Sequence, residues 1–381
     1  MAATILLLLR WDEAPSPQRL VAVALVLGLS CGNHAAMVLL VPGSVWFVAT
    51  RAPRHWLRPH ILAAVVLAVI AGLSVYLLLP WRFGQNPVFN YAGQYDATGT
   101  FVPVDLQTWQ GFLWLVSGKA FAGKMFGYTI AELGPEIAGF GVQLWLAFFA
   151  IGVGPGLWGM VVLLRRDRRL GLMLLLFFLA NVIFYINYRV VDKASMYLPA
   201  YFVWTLWLGA GYQAILDEME EAGSQRGAWL LRLVMVGAVL LALGWNWARV
   251  DLSDDWSTRE QSEAILQNAK PNAIIFGWWD TVPGVQYLQS VEGQRPDVTL
   301  INRFLISGAD MHQLIRNELG RRPIYLDNPS IDLLRQSRVT AVGPLYLLEA
   351  CEAGCGSAFA LSTEQLSPPY PAEGDSHDSL K

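Results

Sequence analysis

Six long apolar runs constrain this chain more than any other feature: Leu20–Ala49, His60–Pro80, Gly139–Leu164, Leu170–Tyr188, Met196–Ile215 and Leu230–Trp247. Five of them are near the ~20 residues that a helix needs to cross the hydrocarbon of a bilayer. The whole chain is 54% hydrophobic and only 15% charged, with a mean hydropathy of +0.39, which fits a membrane protein rather than a soluble domain. A net charge of −3 leaves no basic footprint, so nucleic acid is not an expected partner. The runs stop near Val250. The expected fold class is a polytopic α-helical membrane domain over residues 1–250, then a small soluble α/β domain over 251–362. The tail 363–381, rich in Pro and acidic residues, is expected to be disordered.

Charge between the runs sets a topology. The clusters "RAPRHWLR" (Arg51, Arg54, Arg58) and "RRDRR" (Arg165, Arg166, Arg168, Arg169) mark the cytoplasmic side. Spans at about 60–80, 139–164, 170–188, 196–215 and 230–247 then leave two segments outside, a loop over 81–138 and the turn "RVVDKAS". The α/β domain is exoplasmic. The opening "MAATILLLLRW" lacks a basic n-region and reads as the end of a longer transmembrane helix rather than a signal peptide.

The first run poses a problem of parity. Arg10 and Arg19 before it and Arg51 after it all look cytoplasmic, so residues 20–49 must go in and come back. Thirty residues are too few for two full spans at ~1.5 Å per residue. They suit a re-entrant pair of short helices that turns at "CGNH". Non-helical backbone at membrane depth belongs in protein or beside a wet cavity, so Asn33 and His34 are expected to line an exoplasmic cavity. The plainer reading has His34 cap the turn. Gly152–Gly159 suggests a kink at Pro155 inside the span 139–164, and no phosphate-binding loop follows it.

In the outer loop, Asp105–Gly118 has a helical period with Asp105 as N-cap and Trp109 and Trp114 suited to the membrane surface. It is expected to be either a packing lid or an acceptor or headgroup platform. Beyond Asp254, strands and helices alternate, which predicts a mainly parallel sheet. "STREQSEAILQNA" is expected to be a helix capped by Ser257. Asp280 and Asp327 each follow a strand, and open α/β sheets bind ligands at that edge. Asp280, Tyr287 and Arg295 are therefore candidate ligand residues, with capping and turn formation the alternative. Of three cysteines, Cys31 reads as a core residue; Cys351 and Cys355 are either a local disulfide or two thiols, without partners for zinc.

"GLSCGNH", "YLLLPWRFGQNPVFNY", "TWQGFLWLVSGKAF", "DKASMYLPAYFVWTLWLGAGY" and "IIFGWWDTVPGVQYLQSVEGQRPDVTLIN" together resemble the multi-pass family described as domain of unknown function 2723. Its eukaryotic relatives are protein O-mannosyltransferases of the endoplasmic reticulum. The family resembles GT-C glycosyltransferases, which take a sugar from a polyprenyl-phosphate carrier. The resemblance implies a GT-C-like membrane domain, a lipid bilayer and a polyprenyl-phosphate-linked sugar as partners, and a protein or glycan acceptor. It also implies an integral protein of a bacterial inner membrane. Family members carry an acidic first outer loop and a following His-Pro-Pro-Gly-Tyr-Pro stretch near the N-terminus, and neither is found here. The expectation is a truncated chain, inactive alone, from a gene fragment or a mis-set start codon.

Transfer from a lipid phosphate needs a base for the acceptor and cations for the leaving phosphate. No catalytic residue can be named, because the expected carboxylate is absent. Arg82, Lys119, Arg189 and Lys193 are the candidates for phosphate or headgroup binding, with snorkelling as the plain alternative. Asp192 is expected either to pair with Lys193 or to line the cavity. Tyr188, Tyr197 and Trp81 could stack on sugar or anchor at the interface. No cofactor is indicated, and a divalent metal is left open. The alternative function is a non-catalytic scaffold whose α/β domain binds an envelope partner. A transporter ranks behind it, because no second interrupted hairpin is present.

Overall fold

A computed structural model of the chain describes residues 1–51, 56, 58–190, 193–328 and 337–350. It separates into two compact units. One comprises Met1–Gly84 and Gln107–Asn246; the other comprises Gln85–Leu106 and the chain from Trp247 onward. The first half of the segment read as one outer loop thus belongs with the α/β unit, which revises the expected domain boundary.

The first unit is helical: α1 (Ala2–Glu13), α2 (Pro17–Asn33), α3 (Val41–Ala49), α4 (Pro59–Phe83), α5 (Trp109–Val116), α6 (Ile130–Ala147), α7 (Val153–Arg166), α8 (Arg168–Ile186), α9 (Leu198–Glu221) and α10 (Gln225–Val250). Among the described residues, three stretches are both long and apolar enough to cross a membrane: Pro59–Phe83, Arg168–Ile186 and Gln225–Trp247. Two expected spans are not among them. The run 139–164 is broken over Phe148–Gly152, where Phe149 and Ala150 take positive φ of 51° and 60°. Pro155 does not kink a continuous helix. It sits in the first turn of α7, where its missing N–H has no helical partner to lose. The run 196–215 forms α9, but Trp, Tyr and Gly dilute its apolarity, and Trp204 and Trp207 face the core.

The opening run leaves along α2, breaks at His34 and returns through a 3-10 turn, Ala35–Leu40, into α3. The return is complete: Phe47 packs edge-on against Trp11, and Arg51 pairs with Asp12 at 3.1 Å. Asp12 also accepts from Arg169 at 2.9 Å, and the Arg169 guanidinium lies over the Phe47 ring. Three clusters read as sharing one membrane side therefore meet in one ion-pair network. Small residues let helices approach closely. A Cβ on Gly159 would lie 1.7 Å from the Trp207 carbonyl oxygen, and one on Gly211 would lie 1.9 Å from that of Pro155. Helices α7 and α9 consequently touch backbone to backbone.

The second unit holds a two-stranded hairpin, β1 (Gly93–Tyr95) and β2 (Phe101–Pro103), and a five-stranded sheet. The sheet elements run α11 (Ser257–Asn268), β3 (Ile274–Gly277), α12 (Val282–Glu292), β4 (Thr299–Asn302), α13 (Gly308–Glu318), β5 (Ile324–Leu326), β6 (Arg338–Val342) and β7 (Leu345–Glu349). The order is β4-β3-β5-β7-β6, with β4, β3 and β5 parallel and β7 and β6 antiparallel. The sheet is mixed rather than mainly parallel, because the tight turn before Leu345 makes β6 and β7 a hairpin. Ile275, Leu300 and Tyr325 fill one face, and Ile274, Phe276, Ile301, Ile324 and Leu326 fill the other. Each such buried side chain contributes roughly 1.5–3 kcal/mol of transfer free energy. Both faces are covered, as parallel strands require. Segment 85–106 docks here: Tyr95 bridges to Ile306, and the Tyr91 hydroxyl donates to Gln286 at 2.8 Å. Two caps differ from expectation. Thr108, not Asp105, caps α5, and α11 starts at Ser257 itself, whose N–H is received by Asp255.

Candidate functional site

The end of α8 carries the densest group of functional side chains in the helical unit. Helix α6 begins at a capping box: the Thr129 N–H and hydroxyl both donate to the Glu132 carboxylate at 2.8 Å. One turn later on the same face stands Glu136. The chain leaving α8 is fixed to the turn before α6, since the Arg189 N–H donates to the Lys124 carbonyl at 2.8 Å and Met125 bridges to Tyr188. This brings two cations to the two carboxylates. Arg189 Nη2 lies 2.9 Å from Glu132 Oε1, and Lys193 Nζ lies 2.5 Å from Glu136 Oε2. Tyr128 links the pairs: it accepts from Lys193 at 3.0 Å, and both cations lie over its ring, at 5.3 Å for Arg189 and 4.3 Å for Lys193. The Thr129 N–H, its hydroxyl and Arg189 hold the Glu132 carboxyl below the usual carboxylate range.

The pairs differ in access. The Arg189 side chain is 47% exposed and that of Lys193 only 8%. Arg189 can meet a ligand; Lys193, read from sequence as a headgroup ligand, is instead a buried strut between α6 and the turn after α8. Tyr188 and Tyr197 belong to the same neighbourhood through Tyr185, with ring centroids at 6.2 Å from each. Tyr197 is buried, which excludes it as an open stacking platform. Lys119 opens the 3-10 turn Lys119–Lys124 that Arg189 anchors, and it is exposed. Arg82 and Trp81 lie exposed in the last turn of α4. Asp192 lies outside the described residues, as do Cys351, Cys355 and the tail.

Asn33 and His34 are exposed at the break after α2, and His34 Nδ1 accepts the Ala36 N–H at 3.3 Å. Nearby, the Tyr76 hydroxyl donates to the Cys31 carbonyl at 2.7 Å, tying the break to α4. Glu132, Glu136 and Tyr128 were missed from sequence. The Thr129-x-x-Glu132 spacing was a readable cap signal, but nothing local showed that its carboxylate would meet Arg189.

In the α/β unit, Asp280 is exposed at the carboxyl end of β3, and Tyr287 is exposed on α12. Arg295 is elsewhere, at the amino end of the strands. Its guanidinium holds both Asp297 oxygens, at 2.9 and 3.0 Å, and donates to the carbonyls of Leu266 and Ala269 at the end of α11. Those bonds make it a structural clamp rather than a ligand residue. Asp327 sits at the carboxyl end of β5, where burial pushes its carboxyl up against the opposing pull of the Trp278 N–H and Arg303.

No family model matches the chain, and no solved structure matches it. The chain is similar to the protein O-mannosyl-transferase tmem260 of Dictyostelium discoideum, with 23% identity over 310 residues. The match covers 75% of this chain and 38% of that protein. Its apolar helices and this distant likeness mark the chain as a membrane protein related to a glycosyltransferase.

Proposed function

We propose that the chain serves glycosyl transfer at a membrane, on the side of the donor phosphate. The donor in this reading is a polyprenyl-phosphate-linked sugar, and the acceptor is a hydroxyl of a protein or glycan on the exoplasmic face of a GT-C-like domain. The likeness to an O-mannosyltransferase supports the reaction class, and the half-exposed Arg189 carries the assignment of a site.

A leaving phosphate needs fixed positive charge in a partly dry setting. Arg189 supplies a planar fork suited to phosphate oxygens. Glu132 and Tyr128 hold that fork in place before the donor arrives. Glu132, depressed in pKa and bonded to Thr129, is a weak proton acceptor at neutral pH. Glu136 is committed to Lys193. These carboxylates therefore organise cations rather than serve as the acceptor base. The chain spans 38% of its relative's length, and the complete reaction is proposed for the protein to which such a chain contributes. A scaffold role is favoured by one observation, that both cations already have carboxylate partners.

The test is retention of radiolabelled polyprenyl-phosphate hexose by the purified chain in lipid nanodiscs. Arg189→Ala removes charge-assisted bonds worth roughly 1.5–3 kcal/mol, so donor binding weakens by about tenfold to a hundredfold. Equal retention by both proteins supports the scaffold instead.

A further inference from the structure

The carboxyl edge of β4, β3 and β5 carries a second set of side chains that the transfer chemistry does not use. Strand order places a switch at β3: one crossover leads to β4 on one side, the next to β5 on the other. Ligands of open α/β sheets bind outside such a switch. In register, Asn302 stands opposite Gly277, and Asp327 follows Leu326 on the other flank. By the two-residue period all three share the face of Ile275, Leu300 and Tyr325. Gly277 has no side chain there, and Thr281 and Val282 close over it, 3.1 Å from where a Cβ would lie.

Among the described residues, this edge holds buried polar groups without a hydrogen-bond partner. Asn302 is fully buried; its Oδ1 receives the Phe304 N–H, while Nδ2 has no partner among the described residues. Arg303 stacks on Trp278 at 4.7 Å, donates through Nη1 to the Asn328 carbonyl, and leaves Nε without a partner among the described residues. Asp327 accepts the Trp278 N–H at 2.6 Å on one oxygen, with the Thr281 side chain also bonded to the carboxyl; the other oxygen lies 3.6 Å from Arg303 and has no hydrogen bond among the described residues. Buried polar atoms are normally bonded, and three orphans on one edge are a cost that a ligand relieves. Trp279, which follows Trp278 at the same end of β3, is 40% exposed, braced by Tyr91 at 5.0 Å and Phe304 at 5.9 Å.

The chemistry selects against an anion. Arg303 lies 3.6 Å from the Asp327 carboxyl, so its guanidinium already faces an acidic group rather than an open anion site. The start of α12 is also a poor anion cradle: the Thr281 and Val282 N–H groups are both spent on the Trp278 carbonyl, and Pro283 has none. What remains is a mixed set of buried donors and acceptors at the strand ends, with a partly exposed indole two residues beyond β3. That set fits a neutral ring with hydroxyls on its rim and C–H groups on its face. We propose that the carboxyl edge of β3 and β5 binds a neutral hexose, stacked on Trp279 and hydrogen-bonded through the Asp327, Arg303 and Asn302 layer. This site is independent of Arg189 and goes beyond the proposed transfer role.

The experiment is saturation-transfer NMR on the full chain in nanodiscs, with methyl α-mannoside, methyl β-glucoside and inorganic phosphate as separate probes, and polyprenyl-phosphate hexose as a competitor. Saturable transfer to a hexoside is expected, weakened about tenfold by Trp279→Ala, with Asp280→Asn as a second exposed, fold-preserving change that weakens it less. Arg189→Ala leaves it unchanged. Three results overturn the proposal: no hexoside signal, a signal indifferent to Trp279, or binding only of phosphate-bearing probes. Loss of donor binding with hexoside binding intact would instead remove the transfer reading alone.

Discussion

Lys193 Nζ meets Glu136 Oε2 at 2.5 Å, with the lysine side chain 8% exposed and the glutamate 29%. The asymmetry decides which partner is harder to lose. Glu136→Ala leaves a buried ammonium that, among the described residues, keeps the Tyr128 hydroxyl and the Ile186 carbonyl near it, and is expected to cost about 3–5 kcal/mol. Lys193→Met leaves a carboxylate that water can still reach, and is expected to cost less. The pair Glu136→Gln with Lys193→Met recovers most of the loss. Thermal unfolding in detergent micelles checks this order; equal small effects would show the pair to be solvated.

Arg189 and Glu132 offer a test that separates charge from scaffold. Glu132→Gln frees Arg189 from its counter-charge, and tighter donor binding is expected, with the opposite result for Arg189→Ala. A purely structural belt predicts that both changes weaken binding alike. Donor titrations at two salt concentrations read the difference.

Gly159 and Gly211 fix the contact between α7 and α9. A methyl at Gly211 would enter the Pro155 carbonyl, and backbone cannot move aside as a side chain can. Gly211→Ala is expected to destabilise by about 1–3 kcal/mol or more, while Gly209→Ala, with open space, is neutral. The midpoint of thermal unfolding of the two variants checks this.

Asp297 gives a pH dependence. Its carboxyl is held far below the usual range, chiefly by Arg295 and then by the Asn272 N–H. A depressed folded pKa means that this contribution is complete above the ordinary aspartate value of about 3.9 and fades as pH falls below it. Asp297→Asn should therefore lower the unfolding midpoint at neutral pH, with the gap narrowing as the solution is acidified below pH ~4. A gap constant down to strong acid would contradict the clamp.

Much of the fold was legible because apolarity and charge act over whole segments. Arg51 and Arg169 were read onto one side from loop charge, and both do bond Asp12. The break after α2 was readable from "CGNH", where a helical run meets a polar turn. The break at Phe149 and Ala150 was not, since nothing in their side chains advertises a positive φ. The site was harder. Arg189 and Lys193 stood out as cations beside a span, but burial of Lys193 depends on Glu136, 57 residues away. Arg295 looked like a ligand residue on loop position alone. Its bond to Asp297 is local, but those to the end of α11 arise only when α11 and β4 come together. Orphaned atoms such as Asn302 Nδ2 are a tertiary property with no sequence signal at all.

The most direct measurement of the central claim is photo-crosslinking of a diazirine-bearing polyprenyl-phosphate hexose to the chain in nanodiscs, with the labelled residues mapped by mass spectrometry. The account predicts labelling around Tyr128 and Tyr188–Arg189, competed by unmodified donor and lost with Arg189→Ala. Labelling spread along the lipid-facing helices, unchanged by that substitution, would contradict it.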